Sequence, residues 1–228
     1  LVLASNKDYT YSFKLDEIIL GKYKYFEIKN AGGSFESVTV NKEDFPKLRE
    51  PPKNECLLCK VENSTDKDYI EDLIARICDK NTAKRIKKTL TNSDCIFISA
   101  RYNGEPAGCI VIIVPSEPII YDSCKYTSNQ VYFAHLYVNS NYRRKGISSY
   151  LRYSAFDYWH NHYPDRTVMG IIEESNEASL QGARKMNYRF GGINYLVKFF
   201  GRNIISITKI NGKWGFLLLV GNTKYKRI

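Results

Sequence analysis

The two commonest phosphate-cradling signatures are missing: neither G-x-G-x-x-G nor G-x-x-x-x-G-K-[ST] occurs anywhere in the 228 residues. A dinucleotide fingerprint and a P-loop are thereby excluded. Long hydrophobic runs are missing too. "CIVIIV" and "GFLLLVG" are strand-sized, well short of the roughly 20 apolar residues that a membrane-spanning helix needs. No signal-peptide pattern is recognisable, so the expected location is the cytoplasm. Histidine is scarce, with three in the chain. His160 and His162 stand two apart, on different helical faces and without an evident carboxylate partner, so no metal is expected. Cysteine is more plentiful, at six. Cys56-x-x-Cys59 lacks a second pair of that spacing, however, and on a strand the two would point to opposite faces. Cys95 and Cys109 lie within apolar runs, where buried thiols are at home.

Acidic residues are depleted in the last third. Residues 131–228 carry fifteen Lys or Arg against five Asp or Glu, whereas 1–50 and 51–130 are each balanced, so the net charge of +10 is concentrated there. Such an excess attracts anions: a phosphorylated cofactor, nucleic acid or an acidic surface.

Residues 1–50 mix aromatic, β-branched and charged residues around the turn "NAGGSF" and read as a β-rich extension. Pro51-Pro52 marks a boundary, and 51–228 reads as one domain. Within it "CLLCKV" suits a strand. A helix follows, capped by Thr65 or Asp66, with Tyr69, Leu73, Ile74 and Ile77 on one face. "NTAKRIKKTL" suits a second, short helix. Asn103-Gly104 predicts a hairpin between "CIFISARY" and "AGCIVIIV", and Asn211-Gly212 predicts another. "VYFAHLYV" is a strand, and Ile147, Leu151, Ser154, Ala155, Tyr158 and Trp159 recur at helical spacing. Strand "TVMGII", a helix from about Asn176 and further strands complete the order β-α-α-β-β-β-α-β-α-β-β. That order predicts an α+β fold, a mixed and mostly antiparallel sheet flanked by helices.

The stretch "NYRRKGISSY" sets Arg143, Arg144 and Lys145 immediately before a helix. Cations are unfavourable at a helix N-terminus, where unpaired N–H groups and the dipole are already positive, unless an anion is to bind. Strand, short turn and helix N-terminus together suit a phosphate, and Gly146, having no Cβ, lets it come close.

"LYVNSNYRRKGISSYL" resembles the cofactor-binding segment of the GNAT superfamily of N-acetyltransferases, in which Q/R-x-x-G-x-G/A follows a strand of the form L-x-V. Arg143, Arg144, Lys145, Gly146, Ile147 and Ser148 stand at those six positions, Ser148 in place of Gly or Ala. "EESNEASLQGARKMNYR" resembles the second segment, with Asn176 at the Asn that opens a coenzyme-contacting helix. The resemblance covers about residues 55–200. It implies acetyl-CoA in a splay between the strand ending at Tyr137 and Val138 and a parallel strand at 167–172. The pyrophosphate would take backbone N–H donors from 144–149, Ser149 included, and an N–H near Val138 would polarise the thioester carbonyl. The acceptor it implies is a primary amine on a small molecule or peptide. Many members carry an acidic tyrosine seven residues after the Asn; here that position is Ala183.

His135, on the central strand, and Glu173 and Glu174, after strand 167–172, are the candidate bases. On its strand His135 is expected to share a face with Phe133 and Tyr137, and a packed core histidine is the competing reading. Two function classes stand side by side: an acetyl-CoA-dependent N-acetyltransferase, and a non-catalytic coenzyme- or nucleic-acid-binding protein on the same fold. Nucleic acid is the less expected partner because the aromatics are dispersed through strand patterns. A homodimer is left open.

Overall fold

The computed structural model describes residues 51–62, 66–91, 94–121, 124–172, 176–185, 202–210 and 213–218, and, by backbone alone, residues 26–38, 192–199 and 226–227. In chain order they form β1 (Phe26–Val38), β2 (Leu57–Glu62), α1 (Lys67–Ile77), α2 (Lys80–Leu90), β3 (Cys95–Tyr102), β4 (Glu105–Ile113), β5 (Ile119–Tyr121) and β6 (Cys124–Tyr126). Then come β7 (Gln130–Val138), a 3-10 turn (Ser140–Tyr142), α3 (Ile147–His162), β8 (Thr167–Ile171), α4 (Glu177–Lys185), β9 (Gly192–Phe199), β10 (Arg202–Ile210), β11 (Lys213–Leu218) and β12 (Lys226–Arg227). Glu173, Glu174, Thr65 and the Asn211-Gly212 turn lie outside the described residues.

Local chemistry sets the boundaries. Asp66 rather than Thr65 caps α1, its Oδ1 accepting the Tyr69 N–H at 3.1 Å. Asp79 caps α2 by accepting N–H groups from Asn81 and Thr82. At the β3–β4 hairpin both Asn103 (φ 51°) and Gly104 (φ 83°) are left-handed, as a two-residue turn matching the strand twist requires.

One sheet runs β11-β10-β9-β1-β8-β7-β4-β3-β2, and a small second sheet holds β12, β5 and β6. In the large sheet β7 and β8 are parallel; the other pairings are antiparallel. The architecture is α+β. β1, from the segment set apart as an extension, is hydrogen-bonded between β8 and β9. The short strands β5 and β6 are an addition to the expected order; three residues each are too few to show a period.

Both faces of the central sheet are covered. Phe97, Val111, Ile113 and Tyr132 pack against Leu73, Ile74 and Ile77 of α1 and Ile86 of α2. On the opposite face Ile98, Ile110, Ile112 and Val131 meet Ile147, Leu151, Ala155, Phe156 and Trp159 of α3. β4 lies between the two cores, which is why it reads as a continuous apolar run rather than an alternation. On α3 the buried face includes Arg152 and Phe156, in place of the expected Ser154 and Tyr158. Arg152 is inward because α4 packs there: a Cβ on Gly182 would lie 3.0 Å from its guanidinium carbon.

Gly108 is where β4 meets the start of α3. A Cβ there would stand 2.9 Å from the Tyr137 carbonyl, 3.0 Å from Leu151 and 3.2 Å from Ile147. Gly108→Ala should therefore lower stability by about 1–3 kcal/mol through overpacking. The denaturation midpoint reads this directly, and an unchanged midpoint would mean that α3 moves away freely.

Candidate functional site

The centre of the site is a parting of strands. β7 pairs with β8 at Gln130, Val131 and Tyr132, opposite Thr167, Val168 and Met169. Beyond that, Gly170 and Ile171 of β8 are matched with β1, while β7 continues beside β4 to Gly108↔Val138. The two strands diverge, leaving a wedge between their C-terminal halves. Asn139 donates its N–H to Ala107 of β4 at 2.9 Å. Because backbone groups alternate in direction along a strand, Val138 presents its N–H and carbonyl to the opposite edge, into the wedge. Arg143 Nε reaches that carbonyl at 3.4 Å.

A bulge lies in the same half of β7. Its register against β4 shifts between Cys109↔Tyr137 and Val111↔Ala134, which leaves one extra residue on β7. His135 carries that irregularity, with φ 51°. The bulge overturns simple alternation: Phe133 packs with the α3 core, whereas His135 turns to the α2 side. The expectation that His135 and Phe133 share a face is corrected for this reason. His135 Nε2 lies 2.7 Å from the Tyr121 hydroxyl and 2.9 Å from that of Thr89. Burial, and then the positive charge of Arg85, hold the imidazole down at about 4. His135 is thus a neutral, hydrogen-bonded ring near pH 7 and a weak base.

Tyr137, on the same side, is half-buried beneath the α1–α2 turn, where its hydroxyl meets the Asp79 carboxylate. N–H and hydroxyl donors from Thr82, with help from Asn81 and Tyr137, hold Asp79 below its ordinary value. Burial pushes the Tyr137 phenol up, so it remains protonated.

Next to the wedge, the basic loop turns into α3. Asn139 accepts the Asn141 N–H and shapes the 3-10 turn. Arg144 (φ 64°) and Gly146 (φ 77°) are both left-handed, a curl in which successive N–H groups can line one concavity. Gly146 caps α3 without a side-chain hydrogen bond, so the first N–H groups of the helix have no capping side chain. Arg143, Arg144, Lys145, Ser148 and Ser149 are exposed around it, and Ile147 is buried as the anchor. The Lys145 ammonium rests 4.3 Å from the centre of the Tyr102 ring. Segment 51–56, which begins with the Pro51-Pro52 boundary, forms the far wall of a groove of about 480 Å³ shared with Lys145, Gly146, Ser149 and Tyr150. It is held there by the Tyr150 hydroxyl, which donates to the Pro52 carbonyl. No motif announces that contact.

Asn176 is exposed and caps α4, its Oδ1 accepting the Ser179 N–H at 3.2 Å. Ala183 is 1% exposed and packed inward. A tyrosine at this position could not be housed without displacing the core. The residues brought together are therefore Val138, the loop 143–149 and, on the opposite side of the sheet, His135 and Tyr137. Among the described residues, no group of three or more His, Cys, Asp or Glu could hold a metal ion. No described helix is long and apolar enough to cross a membrane.

A parallel strand pair thus opens beside a glycine-led helix N-terminus. The acetyltransferase (GNAT) family model matches residues 55–188, and the chain belongs to that family. Among curated proteins, no sequence match was found. Similar solved structures include an aminoglycoside acetyltransferase from an uncultured soil metagenomic sample, in complex with sisomicin, at 17% identity and TM-score 0.42, covering 58% of this chain and 88% of that one. A functionally unknown conserved protein from Staphylococcus epidermidis is 17% identical with TM-score 0.47, covering 76% and 63%. The GNAT N-acetyltransferase YhbS from Escherichia coli, in complex with CoA, is 19% identical with TM-score 0.41, covering 57% and 71%.

The depressed His135 value has a consequence for stability. Between about pH 6.5 and about 4 the unfolded chain binds a proton at His135 that the folded chain refuses, so stability falls as pH falls through that window. Asparagine tolerates positive φ, so His135→Asn should keep the bulge while losing this component. Urea midpoints across pH 4–7 should fall less steeply in the variant; parallel profiles would place the titration elsewhere.

Proposed function

We propose that the protein is an acetyl-CoA-dependent N-acetyltransferase acting on a primary amine of a small molecule or peptide. The observation that carries this reading is the wedge between β7 and β8, set beside an α3 N-terminus that lacks a side-chain cap and is ringed by exposed cations. These residues fit the coenzyme chemically: uncapped N–H groups and Arg143, Arg144 and Lys145 suit a pyrophosphate. Gly146, Ile147, Ser148 and Ser149 supply the backbone of that cradle, with Asn176 at the start of α4 as a further contact. Bound coenzyme supplies an acetyl group activated as a thioester.

The remaining tasks fall to the protein's own residues. Val138 holds an N–H toward the wedge, suited to polarising a carbonyl there. Arg143 lies against the carbonyl of the same residue and adds positive charge. The acceptor amine must lose a proton, and His135 is poorly suited to take it, with its Nε2 engaged by two hydroxyls and its basicity low. Glu173 and Glu174, directly after β8, are the proposed bases. An acid in α4 is not needed, because a thiolate with a pKa of about 8.5 departs with little help. Residues 51–228 are proposed as the transferase domain. Residues 1–50 are proposed to shape the acceptor side, since β1 borders Gly170 and Ile171 at the open end of the wedge.

The cofactor claim can be tested without knowing the acceptor. Ser148 is exposed on the first turn of α3, where Asp suits the helix dipole but repels a phosphate. Ser148→Asp should leave the folding midpoint unchanged or higher and weaken acetyl-CoA binding at least tenfold by calorimetry. Undiminished binding would misplace the site. Binding of a single-stranded oligonucleotide with none of acetyl-CoA would favour the non-catalytic reading.

The base claim needs an amine that turns over. Either Glu173→Gln or Glu174→Gln should then lower kcat about 100-fold and remove the acidic limb of the pH–rate profile, whereas His135→Asn should cost less than tenfold. The reverse ranking would restore His135 as the base.

A further inference from the structure

The last residues of α1 are tied to three parts of the site at once. Asn139, which shapes the turn into the coenzyme loop, donates from Nδ2 to the Ile77 carbonyl at 3.0 Å and to that of Arg76 at 3.3 Å. Asp79 meets the Tyr137 hydroxyl. Between these contacts, Cys78 Sγ lies 3.9 Å from Cys109 Sγ on β4. Cys109 is the register partner of Tyr137, at the edge of the β7 bulge. Both cysteines are reduced here. A disulfide needs its sulfurs at about 2.05 Å, so closing this pair means drawing the end of α1 toward β4 by roughly 2 Å, or turning the side chains to the same effect.

We propose that Cys78 and Cys109 form a reversible disulfide with low-molecular-weight disulfides as oxidant, and that its closure shifts the α1–α2 turn and, through Asn139, the coenzyme loop. That the loop holds coenzyme rests on the function proposed above. The dithiol itself does not.

The chemistry balances. Cys78, half-buried at the C-cap of α1, loses its proton and attacks one sulfur of the small disulfide, forming a mixed disulfide and expelling one small thiolate. Cys109 then loses its proton and attacks the Cys78 sulfur, expelling the second thiolate. The protein gives up two protons and two electrons, and the oxidant leaves as two thiols. The order follows from access. Cys109 is 0% exposed and is reached only by its neighbour. Its hydrogen bond with Cys78, and then its burial, keep that thiol well above its ordinary value, so the attack of Cys109 on the mixed disulfide is the slow step. The surroundings also favour motion at this point: Cys78 and Asp79 are both extended, so the turn is a break between two capped helices rather than a continuous element.

The test exposes the full chain to oxidised glutathione, alkylates the remaining thiols and maps the peptides. The expected product joins Cys78 to Cys109 with the loss of two hydrogens, and dithiothreitol reverses it. Hydrogen exchange over residues 139–150 should change on oxidation in the parent and stay constant in Cys78→Ser and in Cys109→Ala. Coenzyme A affinity should fall at least fivefold on oxidation. Separate alkylation of Cys78 and Cys109 at saturating oxidant, or linkage of either to another cysteine, would overturn the disulfide. A correct linkage with unchanged exchange over 139–150 would overturn the coupling. Because the map and the exchange need no coenzyme, failure of the functional reading would show separately, as absent coenzyme A binding in the reduced protein.

Discussion

β7 cannot satisfy both of its neighbours along its whole length, and the site follows from that conflict. Against parallel β8 it pairs for three residues; against antiparallel β4 it pairs to its end, with one extra residue absorbed. The bulge increases the local twist and turns the second half of the strand away from β8. β8 is not left bare, because β1 takes up Gly170 and Ile171 from the other side. Backbone polar groups that would be costly to bury are thus confined to one edge, facing a wedge open to a ligand. Gly108 is part of the same arrangement: only a residue without Cβ lets β4, the Tyr137 carbonyl and α3 converge so closely.

Electrostatics divide the site in two. On the α3 side, exposed cations surround a helix end that is itself positive, an arrangement unfavourable by itself and relieved by an anion. On the α2 side a neutral histidine is clasped by hydroxyls beside Arg85, and a carboxylate at the α1–α2 turn holds a phenol. Asn139 bridges the two halves, giving one amide group to the loop and to the carbonyls at the end of α1. A short turn can coordinate both sides because those hydrogen bonds converge on it.

Much of this was legible in one dimension. Helical spacing of Leu73, Ile74 and Ile77, and of Ile147, Leu151, Ala155 and Trp159, identified the faces that pack on the two sides of the sheet. Asn103-Gly104 identified its hairpin because few residue pairs accept two positive φ angles in succession. The basic loop before α3 stood out because its charges oppose the helix dipole. These signals are local: each rests on residues within a turn or two of one another, where sequence separation and spatial separation coincide.

Composition and periodicity by themselves indicated an α+β chain, and residues 143–148 and Asn176 carried a family resemblance. Tertiary structure decided the rest. A bulge is a relation between two strands, so the face of His135 could not be read from alternation within one of them. Its low basicity comes from burial and then from Arg85, and its hydroxyl partners Tyr121 and Thr89 are 14 and 46 residues away, on other elements. The sulfur pair joins positions 31 apart, and segment 51–56 meets α3 through a hydrogen bond spanning 98 residues. The physical reason is common to all of these. Burial, strand register and non-local hydrogen bonding arise only when the sheet assembles, and they set which side chains a ligand can reach and which protons those side chains keep.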